Sequence, residues 1–312
     1  VGKYRVRPGR LIPALFVLLG GIGLILWGAF STLAWAKNNV LLHLLDITVL
    51  VQGEVRETLA TQGLLIKHEE PVKAPVSGQL HLLVQDGDRL RTGALMAEIS
   101  GTSNEKIWSP RSGIFCTHLD NLENLLVPDM IDVLDLAAVE KISNNITPAT
   151  NEVTGGQIIG KVVDNLQPVL VFIRLENPGE HVTRTFSKDA AVTLFWNGEK
   201  LNGKIMQIHS ADSVLNMLVE LPQYPEKYIH QRRVELDLVT RRMAGWLVPE
   251  EAIVFKEGKP GIYIVSKQIV RWIPVAVQDR LQGMVAVSGD KINNSVRFVK
   301  NPGWAREGVR LD

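Results

Sequence analysis

Pro75-Val76-Ser77-Gly78-Gln79-Leu80-His81-Leu82-Leu83-Val84 is answered 35 residues later by Pro110-Arg111-Ser112-Gly113-Ile114-Phe115-Cys116-Thr117-His118-Leu119. A P-x-S-G sequence opens both stretches, and apolar residues follow at corresponding positions. The first copy runs on through Asp86-Gly87-Asp88 to Gly93-Ala94-Leu95-Met96-Ala97-Glu98-Ile99. The second resumes late, as Gly156-Gln157-Ile158-Ile159-Gly160-Lys161-Val162, so that Gly93 aligns with Gly156, Leu95 with Ile158, Ala97 with Gly160 and Ile99 with Val162. Each copy reads as a strand, a glycine turn, a second strand, a tight Gly-Asp turn and a third strand. Such a half cannot cover its own apolar face, so two halves must pack together. Gly78, Gly87, Gly93, Gly113 and Gly156, with Asp88 in the tight turn, are the expected turn-setting residues, because glycine alone tolerates positive φ or close backbone approach without strain. The copies differ in one place. Leu122-Glu123 stands where Gly87-Asp88 stands in the first copy, and an insertion of roughly 123–154 follows.

Downstream, short β-branched or alternating runs continue: Val169–Arg174, Ala191–Trp196, Arg233–Val239 and Gly261–Val265. Asn197-Gly198 between two such runs predicts a hairpin. The stretch Leu122–Ile142 departs from this pattern. Pro128 followed by Asp129, Asp132 and Asp135 among leucines predicts a short, acidic-fronted helix.

Upstream, Leu11–Ala36 holds 26 residues without a charge, 19 of them apolar. At about 1.5 Å per residue this is enough for a membrane-spanning helix. Lys3, Arg5, Arg7 and Arg10 precede it with no acidic residue among them, which predicts a cytoplasmic N-terminus and an external body. Ala34-Trp35-Ala36 has the form of a signal-cleavage site, but the apolar stretch is longer than a signal peptide needs. The chain's 34 basic and 33 acidic residues give +1 overall, which excludes a strongly basic nucleic-acid binder. The ten N-terminal residues carry +4 of this, and residues 37–312 carry −3.

The doubled half-motif resembles the biotinyl/lipoyl half-motifs of the membrane fusion protein family, the HlyD-type adaptors of efflux and secretion systems. Gly245-Trp246-Leu247-Val248-Pro249-Glu250-Glu251-Ala252-Ile253 is similar to the family's V-P-x-x-A passage out of its β-barrel, with Pro249 marking the return strand. The resemblance implies a mainly β protein with one N-terminal transmembrane helix, a lipoyl-like barrel-sandwich hybrid, a β-barrel and a membrane-proximal β-domain. Residues 1–10 would be the tail, 11–36 the span, 64–163 the hybrid, 164–240 the barrel, and 37–63 with 241–312 the membrane-proximal domain. It further implies a non-catalytic adaptor that works at membrane lipid with an inner-membrane or plasma-membrane permease, as a homo-oligomer. A cell-envelope assembly factor that keeps the fold without a transporter is the alternative. Relatives often carry a long helical hairpin between the half-motifs; here only residues 100–106 separate Ile99 from Ile107.

No catalytic motif, cofactor site or metal motif is legible. Lys106 lies four residues before Pro110 rather than at an exposed modification turn, so covalent lipoyl or biotin attachment is not expected. The single cysteine, Cys116, excludes multi-cysteine clusters and reads as a buried packing residue with no paired histidine. His81 and His118 occupy nearly equivalent places in the two copies and read as structural. His68-Glu69-Glu70 reads as a solvated strand edge. Asp120, Glu123, Asp129, Asp132 and Asp135 read as the solvated face of the insertion, and Arg232-Arg233 as an exposed pair. Asn145-Ile146-Thr147 fits a glycosylation acceptor.

Overall fold

The computed structural model describes residues 45–101, 104–140, 151–223 and 225–311, together with Gly21, Gly23, Trp27 and Gly28. Those four isolated residues are helical. The rest of the predicted span, the basic tail with Lys3, Arg5, Arg7 and Arg10, and the Asn145 acceptor lie outside the described residues. Among the described residues no helix is long and apolar enough to cross a membrane. The chain forms two compact units, Glu57–Arg241 and the flanking chain up to Arg56 and from Arg242.

After β1 (Ile47–Val49), β2 (Gln52–Ile66) leads into the larger unit. Its first part contains β3 (Glu69–Lys73), β4 (Gly78–Leu82), β5 (Arg89–Leu90), β6 (Leu95–Ser100), β7 (Glu105–Trp108), β8 (Gly113–Cys116), β9 (Glu152–Val153) and β10 (Ile158–Val163). These form two four-stranded sheets, β3-β10-β8-β5 and β7-β6-β4-β9. The second sheet repeats the first copy by copy. Leu80 of β4 pairs with Ile99 of β6, and its repeat mate Phe115 of β8 pairs with Val162 of β10. The halves exchange edge strands: β5 of the first pairs with β8 of the second, and β9 of the second pairs with β4 of the first. Val72, Leu80, Met96, Ile99, Phe115 and Val162 meet in one buried core between the sheets. This is the covering of each half by the other that the repeat demanded.

The second part contains β11 (Val169–Glu176), β12 (Ala191–Trp196), β13 (Glu199–Ala211), β14 (Val214–Leu221) and β15 (Arg233–Pro249). With β2 they run β12-β13-β14-β11-β2-β15, and β15 also pairs with β12, which closes a barrel. Asn197 and Gly198, at φ 48° and 81°, form the predicted two-residue hairpin turn. The insertion adopts a 3₁₀ turn over Pro128–Val133 and a helix over Leu136–Glu140 in place of the single helix expected. Its Leu122, Leu126, Ile131, Leu136 and Val139 pack on Leu64, Ile66, Phe172 and Leu218 of β2, β11 and β14. Apolar burial against the barrel therefore fixes the conformation of residues 122–139.

The smaller unit contains β16 (Val254–Lys256), β17 (Lys259–Ser266), β18 (Ile269–Pro274), β19 (Ala276–Leu281), β20 (Met284–Ser288) and β21 (Arg297–Val299). One sheet runs β1-β21-β17-β16, with β18 on the other side of β17. Trp246–Pro249 of β15 pairs with β20, so Pro249 ends its strand opposite Met284. Leu50, Val248, Ile262, Ile264, Val285 and Phe298 fill this unit's core.

Candidate functional site

Polar side chains that the sequence reading assigned to the surface collect instead inside the larger unit, where the sandwich meets the segment leading into β15. That segment, Tyr228–Arg232, is held from both sides. On the barrel side Tyr228 is buried and stacks on Trp196, with ring centroids 3.6 Å apart. On the sandwich side the buried Lys67 ammonium donates to the carbonyls of Ile229 and Gln231, the latter at 2.5 Å. Arg232 Nε donates to Asp120 at 2.6 Å, its Nη1 to the Leu65 carbonyl at 3.2 Å, and its Nη2 to Glu69. Lys161 lies 3.2 Å from Glu69 and 3.4 Å from Glu123.

Three readings are corrected here. Glu69 is buried rather than on a solvated edge, Asp120 and Glu123 are buried rather than on a solvated face, and Arg232 is buried rather than exposed. The reason is common to all. Three cations, Lys67, Lys161 and Arg232, meet three carboxylates, and a buried charge persists when paired and hydrogen-bonded. Burial first, and then neighbouring Arg232, lower the Lys67 pKa to about 7. Burial works against Asp120 ionising, yet the Arg232 hydrogen bond and charge hold its carboxyl at about 2. Burial likewise opposes the Arg232 charge, but Glu69 and Asp120 raise its pKa above the ordinary value. Asp129, Asp132 and Asp135 are exposed as expected. Asp135 accepts from the amides of Ala137 and Ala138 at 3.1 and 3.2 Å, capping the short helix.

Beside this network lies a second cluster. The Asp86 turn rests on β8, with the Gly87 amide donating to the Phe115 carbonyl at 2.9 Å. Asp86 Oδ1 accepts from the Thr117 amide at 2.6 Å and hydroxyl at 2.9 Å. Cys116 and His118, two residues apart, bring their side chains together, as alternation along extended chain allows. Cys116 Sγ lies 3.1 Å from His230 Nδ1 and 3.8 Å from His118 Nδ1. His118 and His230 lie 3.5 and 3.3 Å from the two Asp86 oxygens. The paired histidine that the sequence did not reveal is thus His230, 114 residues away. Cys116 is fully buried, and burial raises its pKa. A buried thiol held protonated is a poor nucleophile, so the Cys116–His230 pair is not poised for covalent catalysis. Burial also lowers the His230 pKa, against the attraction of Asp86. Burial raises that of Asp86, but the Thr117 bonds and both imidazoles bring it below its ordinary value.

The turn residues occupy two kinds of position. A Cβ on Gly78 would meet the Ser100 carbonyl oxygen at 2.5 Å, and one on Gly113 the Val163 oxygen at 2.4 Å. Ser100 and Val163 are repeat mates, so the two close approaches are equivalent. Gly87, Gly93 and Gly156 instead have φ of 90°, 73° and 85° with open space around them. Asp88 Oδ2 accepts from the Gln85 amide at 2.7 Å within the tight turn. Lys106 is exposed on β7, 3.6 Å from Glu98.

Residues 69–164 match the RND-related barrel-sandwich hybrid domain. The resemblance to the membrane fusion proteins holds. Among solved structures, the chain is similar to ZneB from Cupriavidus metallidurans, at 12% identity and a TM-score of 0.36 over 83% of this chain and 93% of that one. It is also similar to MacA from Actinobacillus actinomycetemcomitans, at 14% and 0.34 over 81% and 99%. The membrane fusion protein Spr0693 from Streptococcus pneumoniae R6 aligns at 10% and 0.31 over 58% and 98%. No curated protein sequence matches the chain.

Proposed function

We propose that this chain is a membrane-anchored, non-catalytic adaptor subunit of an efflux or secretion transporter. The observation that carries the reading is the match of residues 69–164 to the RND-related barrel-sandwich hybrid, in a chain whose two half-motifs share one strand order. The charge-free stretch 11–36 behind a basic tail would anchor it. Several copies would pack side by side on a permease. Gly78, Gly87, Gly93, Gly113 and Gly156 would serve by shaping the sandwich, and Lys3, Arg5, Arg7 and Arg10 by setting topology.

One observation favours a second reading, a cell-envelope assembly factor without a transporter. The loop from β6 to β7 is only residues 101–104, too short for a helical hairpin reaching a distant channel. Cross-linking in intact membranes followed by purification of the full chain separates the two. Stoichiometric recovery of a polytopic transporter supports the adaptor. Its absence at saturating cross-linking contradicts the adaptor and leaves the assembly factor.

A further inference from the structure

We propose that Asp86, Cys116, His118 and His230 form a binding site for a zinc-class divalent metal ion. Their ligand atoms all lie within 4.8 Å of one another. Zinc bonds of about 2.0–2.3 Å in tetrahedral geometry place neighbouring ligand atoms about 3.3–3.8 Å apart. The separations are 3.1 Å for Cys116 to His230, 3.8 Å for Cys116 to His118, 3.5 Å for His118 to Asp86 and 3.3 Å for His230 to Asp86. Little movement would be needed to enclose an ion.

The donor set points to the same class. One sulfur, two imidazole nitrogens and one carboxylate suit zinc, whereas calcium and magnesium require oxygen ligands. A carboxylate and a thiolate would balance the ion's two charges. The cation nearest Cys116 along the sheet, Lys161, is already flanked by Glu69 and Glu123. Coordination deprotonates the Cys116 thiol, and the proton leaves to solvent.

The surroundings orient the ligands. Thr117 fixes the Asp86 carboxylate through two hydrogen bonds, and Lys67 holds the carbonyls on either side of His230. Such outer groups are a recurrent feature of metal sites. The side chains of His118, Asp86 and His230 keep 46%, 31% and 28% of their exposure, which leaves a path for the ion. Four protein ligands leave no open position, so the site is structural rather than catalytic. Its ligands come from the turn of the first half-motif, the end of β8 and the segment before β15. The ion would therefore staple the sandwich to the barrel.

The test is zinc titration of the full-length, chelator-stripped protein in detergent, against a competing chromogenic chelator. One zinc per chain is expected. Cys116→Ser and His230→Ala are expected to weaken binding by about 100-fold or more, and Thr117→Val by about 10-fold. Cobalt added alone should give tetrahedral visible bands and a thiolate charge-transfer band that Cys116→Ser abolishes. Absence of stoichiometric zinc in the unmodified protein would overturn the proposal. So would unchanged affinity in folded Cys116→Ser and His230→Ala proteins, or a cobalt spectrum without the thiolate band. Should a variant fail to fold by circular dichroism, the cobalt spectrum of the unmodified protein decides alone.

Discussion

The first half of the sandwich turns at Asp86-Gly87-Asp88 and goes straight on to its next strand. The second half leaves after β8 and returns only at β9, by way of an insertion packed on the barrel. Everywhere else the halves agree, down to the carbonyls that crowd Gly78 and Gly113. Strand order and glycine positions are what it takes to close this sandwich. The turn, where the halves part, supplies what ties the sandwich to the segment entering the barrel: Asp120, just before the insertion, meets Arg232, and Asp86 of the tight turn faces His230.

Removing the tie at its centre should have the largest effect. Arg232→Ala strands Asp120 as a buried carboxylate, leaves Glu69 with Lys161 alone, and is expected to destabilise the larger unit by about 4 kcal/mol in denaturant unfolding. A loss below about 1 kcal/mol would mean that the network is solvated. The next effect tests the likeness of the halves. Gly78→Ala and Gly113→Ala each push a methyl into a fixed backbone oxygen, and each should cost about 3 kcal/mol. A clear inequality between them would break the strand-for-strand equivalence.

Acid should reveal the asymmetric turn. The folded-state pKa of Asp120 lies near 2, below its ordinary 3.8. The lowered value contributes about 2 kcal/mol, fully present above pH 4 and lost as pH falls toward 2. Asp120→Asn should flatten that acid limb in stability measurements from pH 5 to 2. The smallest effect belongs to the open turns. Gly87→Ala and Gly156→Ala meet no neighbour and carry only the cost of positive φ, about 1 kcal/mol by thermal unfolding.

The sandwich was legible because its determinants are local and repeated. P-x-S-G, alternating apolar residues and a glycine at each turn need only their own strand to be understood. The joint was not legible, since its chemistry depends on partners distant in sequence: His230 meets Cys116, and Arg232 meets Glu69, only after the barrel has folded. Charged residues on alternating strands read as solvent-facing unless something beneath them is charged too. Two signals were nevertheless present. Lys161 interrupts the otherwise uncharged Ile158–Val163, where a buried lysine demands a carboxylate, and Cys116-Thr117-His118 sets two metal-capable side chains at strand spacing. Pro128 and Asp129 do open a short helical turn, Pro128–Val133, as their pattern predicts; that a second helix follows at Leu136 depends on buried leucines set by the barrel surface beneath.

Strand exchange between the halves is the feature from which the rest follows, and disulfide trapping reads it directly. Gln79 and Glu152 face each other across β4 and β9, close enough in antiparallel pairing for a disulfide. In the Gln79→Cys/Glu152→Cys protein, mild oxidation should join the two introduced cysteines quantitatively within one chain, with stability retained. Persistently free thiols, or cross-links only between chains, would contradict the exchange and with it the barrel-sandwich assembly.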